Sequence, residues 1–360
     1  MSVSIRAIIK ALLRWTGFFH LWRFLHRKRV TILMLHATAA PANGQACWAP
    51  LRPQLDPQTL EQWLRLLTRY YKFVSLDDAV EMLAGNRPFH PNSLVVTFDD
   101  GYRNNVTGAW PVLRRFGVPA TIFVTAGHVQ RRQPFWVDRL DYALQHAGDD
   151  DHEFQIGNDK VRISASGRNE LRQSYQRLRD AAKAVVRQDG EMREELEQIA
   201  ATLEAESGRR LADVFEDDPW TALLSWEEIE ALAGTGLSFE SHTVDHVLLG
   251  RVEDGVARDQ LLRSKRMIEA HTKRPCRYLA YPNGSYNART VEIVRECGYM
   301  AAVTVNEGTN RTGADPMTLQ RIALPLAGSE TELLAVVSGI TAAIARAKQS
   351  LLALLNRGNT

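Results

Sequence analysis

Apolar residues along the chain fall into two alternating patterns. Short β-rich apolar runs at Val30–Leu35, Leu94–Phe98, Ala120–Val124, Leu237–Ser241, Arg277–Tyr281 and Ala301–Val305 read as strands buried on both faces. Phe73–Val74 begins a further short strand. Between the runs lie stretches with helical spacing. In residues 57–71, Leu60, Leu64 and Leu67 share one face behind Pro57. Asp77–Leu83 stops at Gly85, Val106–Phe116 at Gly117 and Ala288–Cys297 at Gly298. Trp226–Ala233 is opened by Ser225 with Glu228 three positions on, a capping-box arrangement, and Val256–Ala270 follows the same period. Strand and helix alternating through short connections predict a parallel α/β fold.

The rhythm breaks in three places. Between about Gly148 and Pro219 the chain is rich in Arg, Glu and Gln, with a thin apolar stripe such as Leu171, Tyr175 and Leu178, so 148–219 reads as a helical insertion. It is open to reading as a lid, a substrate clamp, a partner surface or a passive solvated excursion. Glu330–Leu355 predicts one final amphipathic helix. Residues 1–29 alternate apolar and basic side chains, with Ile5, Ile8, Ile9, Leu12 and Leu13 set against Arg6, Lys10 and Arg14, and with Trp15, Phe18, Phe19 and Trp22 following. No uncharged run there approaches the roughly 20 residues of a membrane-spanning helix, and no unbroken apolar stretch suggests a secretory signal. The leader is therefore a basic amphipathic helix, which either lies on an anionic membrane surface or covers the fold beside it. The expected organisation is a leader over 1–29, a main domain over 30–326 and a C-terminal helix over 327–360.

Composition narrows the function classes. A formal net charge of +2 over 360 residues gives no electrostatic reason to expect a nucleic-acid partner. The three cysteines, Cys47, Cys276 and Cys297, are widely separated and odd in number. That fits a reducing, cytoplasmic compartment, peripheral on the membrane face if the leader binds there, and supports neither a disulfide framework nor a cysteine-based metal site.

Chemistry concentrates at the ends of predicted strands. Thr97-Phe98-Asp99-Asp100-Gly101 places two adjacent carboxylates where parallel α/β folds bind ligands. Their side chains diverge, so one can hold a metal while its neighbour serves as a base, although Asp-Gly is also an ordinary turn pair. Ser241-His242-Thr243-Val244-Asp245-His246 sets two histidines four apart, which on one helical turn would face the same cation. With Asp100 as third ligand they make a two-histidine, one-carboxylate site with positions left for water. Tyr281-Pro282-Asn283-Gly284 forms a tight loop that can aim a backbone N–H at such a site, and His36 ends the first strand.

In this order these elements resemble the polysaccharide deacetylase superfamily, carbohydrate esterase family four, which includes the nodulation chitooligosaccharide deacetylases. The resemblance runs from about Val30 to Leu326, without the insertion and both terminal helices. It implies a distorted (β/α) barrel of about seven parallel strands, with Asp99 as general base and Asp100, His242 and His246 binding a divalent metal, zinc by first choice. The likeness is greatest to the poly-N-acetylglucosamine deacetylase subgroup, which implies His36 as general acid. One departure stands out: many members begin the third motif with an arginine that orients the base, and here that position is Ala280. Arg321, in Leu319-Gln320-Arg321-Ile322, is the candidate substitute. Tyr281, Pro282 and Asn283 are candidates for substrate or oxyanion contacts, and Trp136, in Phe135-Trp136-Val137-Asp138-Arg139, for the sugar site.

The expected activity is metal-dependent removal of N-acetyl groups from an amino-sugar-containing poly- or oligosaccharide. Three rivals stay open: a deacetylase or deformylase of a lipid-linked sugar at the membrane surface, a carbohydrate-binding barrel without catalysis, and a glycosidase using Asp99 with another carboxylate.

Overall fold

The computed structural model describes residues 17–39, 48–148, 151–156, 159–163, 167–185 and 189–357. The first half of the predicted leader, with Trp15, and also Cys47 lie outside the described residues.

Seven strands form the framework: β1 (Arg29–Leu35), β2 (Ser93–Phe98), β3 (Ala120–Val124), β4 (Leu237–Ser241), β5 (Tyr278–Ala280), β6 (Ala301–Glu307) and β7 (Leu319–Ala323). Each is parallel to the next, and β1 pairs with β7 on one side and with β2 on the other, so the sheet closes into a (β/α) barrel. The barrel is distorted: β4 and β5 share only the Ser241–Leu279 pairing, and the β6–β7 register shifts between Leu319 and Arg321. Two short strands, Lys72–Phe73 and Asn310–Arg311, add to β2 and β1.

Side-chain alternation along each strand then decides what faces the barrel axis. Val30, Ile32, Val95, Phe123, Tyr278, Ala280, Ala301, Val303 and Leu319 pack together as an inner apolar layer, closed at the strand-start end by Leu76, Ala79, Val80 and Leu83 of the helix Leu76–Ala84. Leu33, Leu35, Leu94, Val96, Phe98, Ile122, Val124, Phe239 and Leu279 belong to the outer layer beneath the surrounding helices. Continuing the inner series upward puts His36, Thr97, Asp99, His242 and Arg321 at the mouth where the strands end.

Local differences from the sequence expectations have simple causes. The helix expected over Val106–Phe116 opens with a π-turn at Asn105–Ala109 before the regular Trp110–Arg115 segment, and a Cβ on Gly108 would lie 2.1 Å from the Thr38 carbonyl oxygen. The single C-terminal helix expected over Glu330–Leu355 is two, Glu330–Val337 and Ile340–Arg357, because Gly339 turns through φ 76°. The region expected as a purely helical insertion also holds an antiparallel hairpin, His152–Ile156 with Asp159–Ile163, before the helices Arg168–Val185 and Asp189–Ser207. These pack around their own apolar cluster, including Leu140, Leu144, Ile156, Ile163, Tyr175, Leu178, Leu196 and Leu203.

The helix Phe18–Leu25 runs into the start of β1, with Phe19 packed on Ala335 and Ile340 and with Leu21, Phe24 and Leu25 exposed. It therefore sits at the end of the barrel opposite the mouth.

Candidate active site

The Asp99–Asp100 turn is built by strand pairing and one unusual backbone conformation. The Asp99 N–H donates to Leu35 O at 2.9 Å, which continues the β1–β2 ladder. Asp100 then turns through φ 75°, a left-handed conformation uncommon for a residue with a side chain, and Gly101 follows at φ 87°. The two carboxylates consequently leave the chain in different directions.

Asp99 is 3% exposed and meets Arg321, which is 1% exposed. Arg321 donates from both terminal nitrogens, Nη1 to Oδ1 and Nη2 to Oδ2, each at 2.7 Å. Its Nε donates to Thr304 O at 2.9 Å, and Nη1 also reaches Thr97 Oγ1 at 3.2 Å. The guanidinium is thus held on both sides while it grips the carboxylate. Burial alone would raise the proton affinity of Asp99, but the Arg321 charge and hydrogen bonds hold its carboxyl well below the usual carboxylate range. Arg321, the candidate substitute for the arginine absent at position 280, thus reaches Asp99 from β7.

Asp100 faces the other way. Its Oδ1 lies 3.5 Å from His242 Nε2 and 3.5 Å from His246 Nε2, and the three donor atoms all lie within 4.8 Å of one another. A four-coordinate ion with bonds of about 2.0–2.1 Å separates its ligand atoms by about 3.3–3.5 Å, so the donor set fits a small divalent cation. Electrostatics agree: burial and the adjacent Asp99 charge push the Asp100 carboxyl up to about 8, a state that a cation between the three groups would relieve. His242 Nδ1 sits 2.8 Å from Ala280 O, which assigns its proton to Nδ1 and leaves the Nε2 lone pair facing Asp100.

The histidine pair does not sit on a helical turn, contrary to the reading from its spacing. Residues 242–246 form a loop after β4 in which Thr243 and His246 have φ of 66° and 55°. That loop is held from two sides. The Ala126 and Gly127 N–H groups donate to Thr243 O and Val244 O at 3.1 and 2.8 Å, while Gln260 Oε1 accepts from the Val244 and Asp245 N–H groups at 3.1 and 2.8 Å. A Cβ on Gly127 would stand 2.7 Å from Val244 O, so only glycine permits this approach. Gln260 and Gly127 shape the site without touching the donor atoms, and nothing in their sequence surroundings marks them.

These groups open onto a cavity of about 450 Å³, lined by His36, Asp99, Asp100, His242 and His246 together with Arg52, Phe135, Trp136, Val137, Arg179, Leu248, Arg251, Asn283, Ser285 and Val305. His36 is enclosed by the barrel mouth yet exposed to this cavity. Burial, offset in part by Asp99 and reinforced by Arg52, Arg321 and His242, lowers its imidazole to about 4.

Of the remaining sequence candidates, Trp136 and Asn283 line the cavity, but Tyr281 and Pro282 do not. Tyr281 occupies an outward position after β5, where it is fully buried, its hydroxyl donates to Met317 O at 3.0 Å and its N–H is spent on Val303 O. Alternation along β5 is the reason: Tyr278 and Ala280 face inward, so Tyr281 faces out. Arg52, Arg179 and Arg251 were invisible from the motifs because they come from a loop, the insertion and the segment beyond the histidines.

Residues 86–302 match the family described as Polysaccharide deacetylase. That span holds Asp99, Asp100, His242 and His246 but neither His36 nor Arg321. Among curated proteins, YxkH of Bacillus subtilis (strain 168), which carries a polysaccharide deacetylase name, is 19% identical over 294 residues, 82% of this chain and 71% of its own. The fold is similar to that of the Streptococcus pyogenes deacetylase PplD in complex with acetate, at 19% identity, 86% of this chain, 98% of that one and a TM-score of 0.56. It is also similar to IcaB from Ammonifex degensii, at 17% identity, 87% and 97% coverage and a TM-score of 0.53.

Proposed function

The chain belongs to the polysaccharide deacetylase family, and from that premise we propose that it removes N-acetyl groups from an amino-sugar-containing poly- or oligosaccharide by metal-dependent hydrolysis. The reading is carried by the contrast between two neighbouring carboxylates: Asp99 clamped and charged by Arg321, Asp100 set between two imidazoles and in want of a cation.

Asp100, His242 and His246 would hold the ion. Bound there, a divalent ion, zinc by the preference of this ligand set, would polarise an amide carbonyl and acidify a water. Asp99 accepts the proton of the water that attacks the acetamide carbon. Arg321 keeps that carboxylate ionised and fixes its direction, so the base needs no reorganisation. Asn283, at the cavity wall with φ 50°, is the candidate for an oxyanion contact. His36 faces the same cavity and protonates the departing amine. Its lowered proton affinity makes the resting imidazole neutral, so the proton it passes to the amine is the one Asp99 took from the attacking water, and Asp99 ends ionised again.

Two of the rivals lose support. A barrel without catalysis was suggested by the absent motif arginine, and Arg321 fills that role from another strand. A glycosidase needs two carboxyl groups facing each other across the bond, roughly 5–9.5 Å apart. Among the described residues lining this cavity the only acids are the adjacent Asp99 and Asp100. The described part of the leader, Phe18–Leu25, lies at the strand-start end of the barrel, and a lipid-linked sugar stays open as the alternative substrate.

The test is acetate release from N-acetylated oligosaccharides, before and after chelation and after return of the metal. Release that disappears with chelator and returns with a divalent ion supports the reading; release indifferent to chelator overturns it.

A further inference from the structure

Positive charge at the cavity exceeds what its acids can balance. Asp99 is committed to Arg321 and Asp100 to the two imidazoles, yet Arg52, Arg179 and Arg251 line the same space. Arg52 Nη2 pairs with Asp138 Oδ1 at 3.2 Å and reaches the Tyr102 hydroxyl at 3.5 Å, and that hydroxyl donates to the other Asp138 oxygen at 2.7 Å, so Asp138 is shared and the Arg52 Nη1 has no bond to it. Arg179 stands over the Tyr175 ring at 5.4 Å, and its Nε is buried with no hydrogen-bond partner among the described residues. No carboxylate pairs with Arg179 or with the exposed Arg251 among the described residues. A divalent ion at the donor triad would add to this excess.

The arrangement is built. Arg179 rises from the insertion helix Arg168–Val185, and the same helix fastens the loop that carries Arg52. Arg168 Nη2 donates to Ala49 O at 2.9 Å and to Pro50 O at 2.7 Å, and Arg172 Nε donates to Leu51 O at 2.8 Å. From the other side the Leu51 N–H donates to Asp141 Oδ2 at 2.8 Å. Tyr175 ties the helix to the edge of the cavity through a 3.2 Å bond to Val137 O. Three arginines from three separate segments therefore line one cavity, where a neutral sugar would give them only hydroxyl and amide oxygens. An oxyanion accepts from several N–H groups at once and neutralises the excess.

We propose that the acylated sugar taken by this site carries an anionic group, a phosphate ester or a carboxylate, bound by Arg52, Arg179 and Arg251, and that the helical insertion exists to build this anion site. The proposal rests on the deacetylase reading for the reaction and adds the class of substrate.

The experiment compares three probes on the full, metal-loaded chain: N-acetylglucosamine 1-phosphate, N-acetylmuramic acid and the neutral methyl glycoside of N-acetylglucosamine. At least one anionic probe is expected to exceed the neutral one in kcat/KM by about tenfold or more at low salt, with the gap narrowing as ionic strength rises from about 0.05 to 0.5 M. Which anion leads separates phosphate from carboxylate recognition. Arg179→Gln is expected to close most of that gap, chiefly through KM, and Arg179→Lys to restore part of it; Arg251→Gln, on another segment, repeats the test should the insertion variant fold poorly. Equal kcat/KM for all three probes, or an Arg179→Gln loss of the same size on neutral and anionic sugars, overturns the proposal.

Calorimetric binding to the chelator-stripped chain separates it from the reaction. Preferential binding of an anionic probe there, with no acetate from any probe or from N-acetylated oligosaccharides after metal return, would sink the deacetylase reading and leave the anion site standing. Acetate release from every probe without preference does the reverse.

Discussion

The barrel mouth and the helical insertion are held in place by opposite means. At the mouth, charges neutralise charges: Arg321 and Asp99 are both nearly inaccessible, and each terminal nitrogen of the arginine has its own carboxylate oxygen. The positions are fixed by strand ends in a closed sheet, so no member can move alone. The insertion instead buries an ordinary apolar cluster and attaches to the barrel through long side chains reaching backbone carbonyls, as Arg168 and Arg172 do, and through the paired hydrogen bonds of Arg139 with Glu204 at 2.9 and 2.6 Å. A network of charges fails as a whole when one partner goes, whereas a set of independent ties fails one at a time.

The largest effect should come from the mouth. Asp99→Asn removes the proposed base and should lower kcat by about a thousandfold or more, within the range general bases contribute. Elemental analysis should find the same metal content as in the parent chain, since the donors are Asp100, His242 and His246; loss of metal together with activity would undo the division of labour between the two carboxylates. Arg321→Met should follow closely, because it strands a buried carboxylate. A cost of about 3–5 kcal/mol is expected in urea unfolding, and a loss under about 1 kcal/mol would mean that the pair is not the keystone described here.

Leu178→Ala, in the centre of the insertion cluster, should cost about 3 kcal/mol and appear as faster amide exchange in the helices 168–185 and 189–207. Metal retention should survive that change. If it does not, the two regions are one cooperative unit and the contrast fails.

The smallest effect lies at the seam. Burial raises the Asp141 carboxyl to about 6, against the hydrogen bonds from Gln145 and the Leu51 N–H that pull it down. A raised folded-state value means that its contribution is complete below its ordinary value near 3.8 and is lost as pH climbs through about 6. Asp141→Asn should therefore gain on the parent chain between pH 4 and 7 by up to about 2–3 kcal/mol in unfolding free energy, whatever its constant offset. A pH-independent difference would show that Asp141 does not titrate in that window.

Much of this was legible in the sequence. Continuous apolar runs with helical stretches between them specify a parallel α/β sheet, because only strands covered on both faces read that way. Two diverging carboxylates at a strand end and a histidine pair named the donor set, and the uncommitted Arg321 was named as a partner for Asp99. Local pattern carries such information because each feature depends on residues close together in the chain.

What tertiary structure alone decided is how those pieces meet. Closure of β1 on β2 and β7 brings Arg321 to Asp99 across 222 positions, and that contact arises from barrel register rather than local propensity. Inward and outward alternation along β5 removed Tyr281 from the cavity, and backbone donors from the segment after β3 shaped the histidine loop that spacing had suggested was helical. That Arg52, Arg179 and Arg251 line one cavity follows from packing of a helical excursion against the mouth, for which the chain holds no local signal. Periodicity records which side of an element is buried; it does not record which other element buries it.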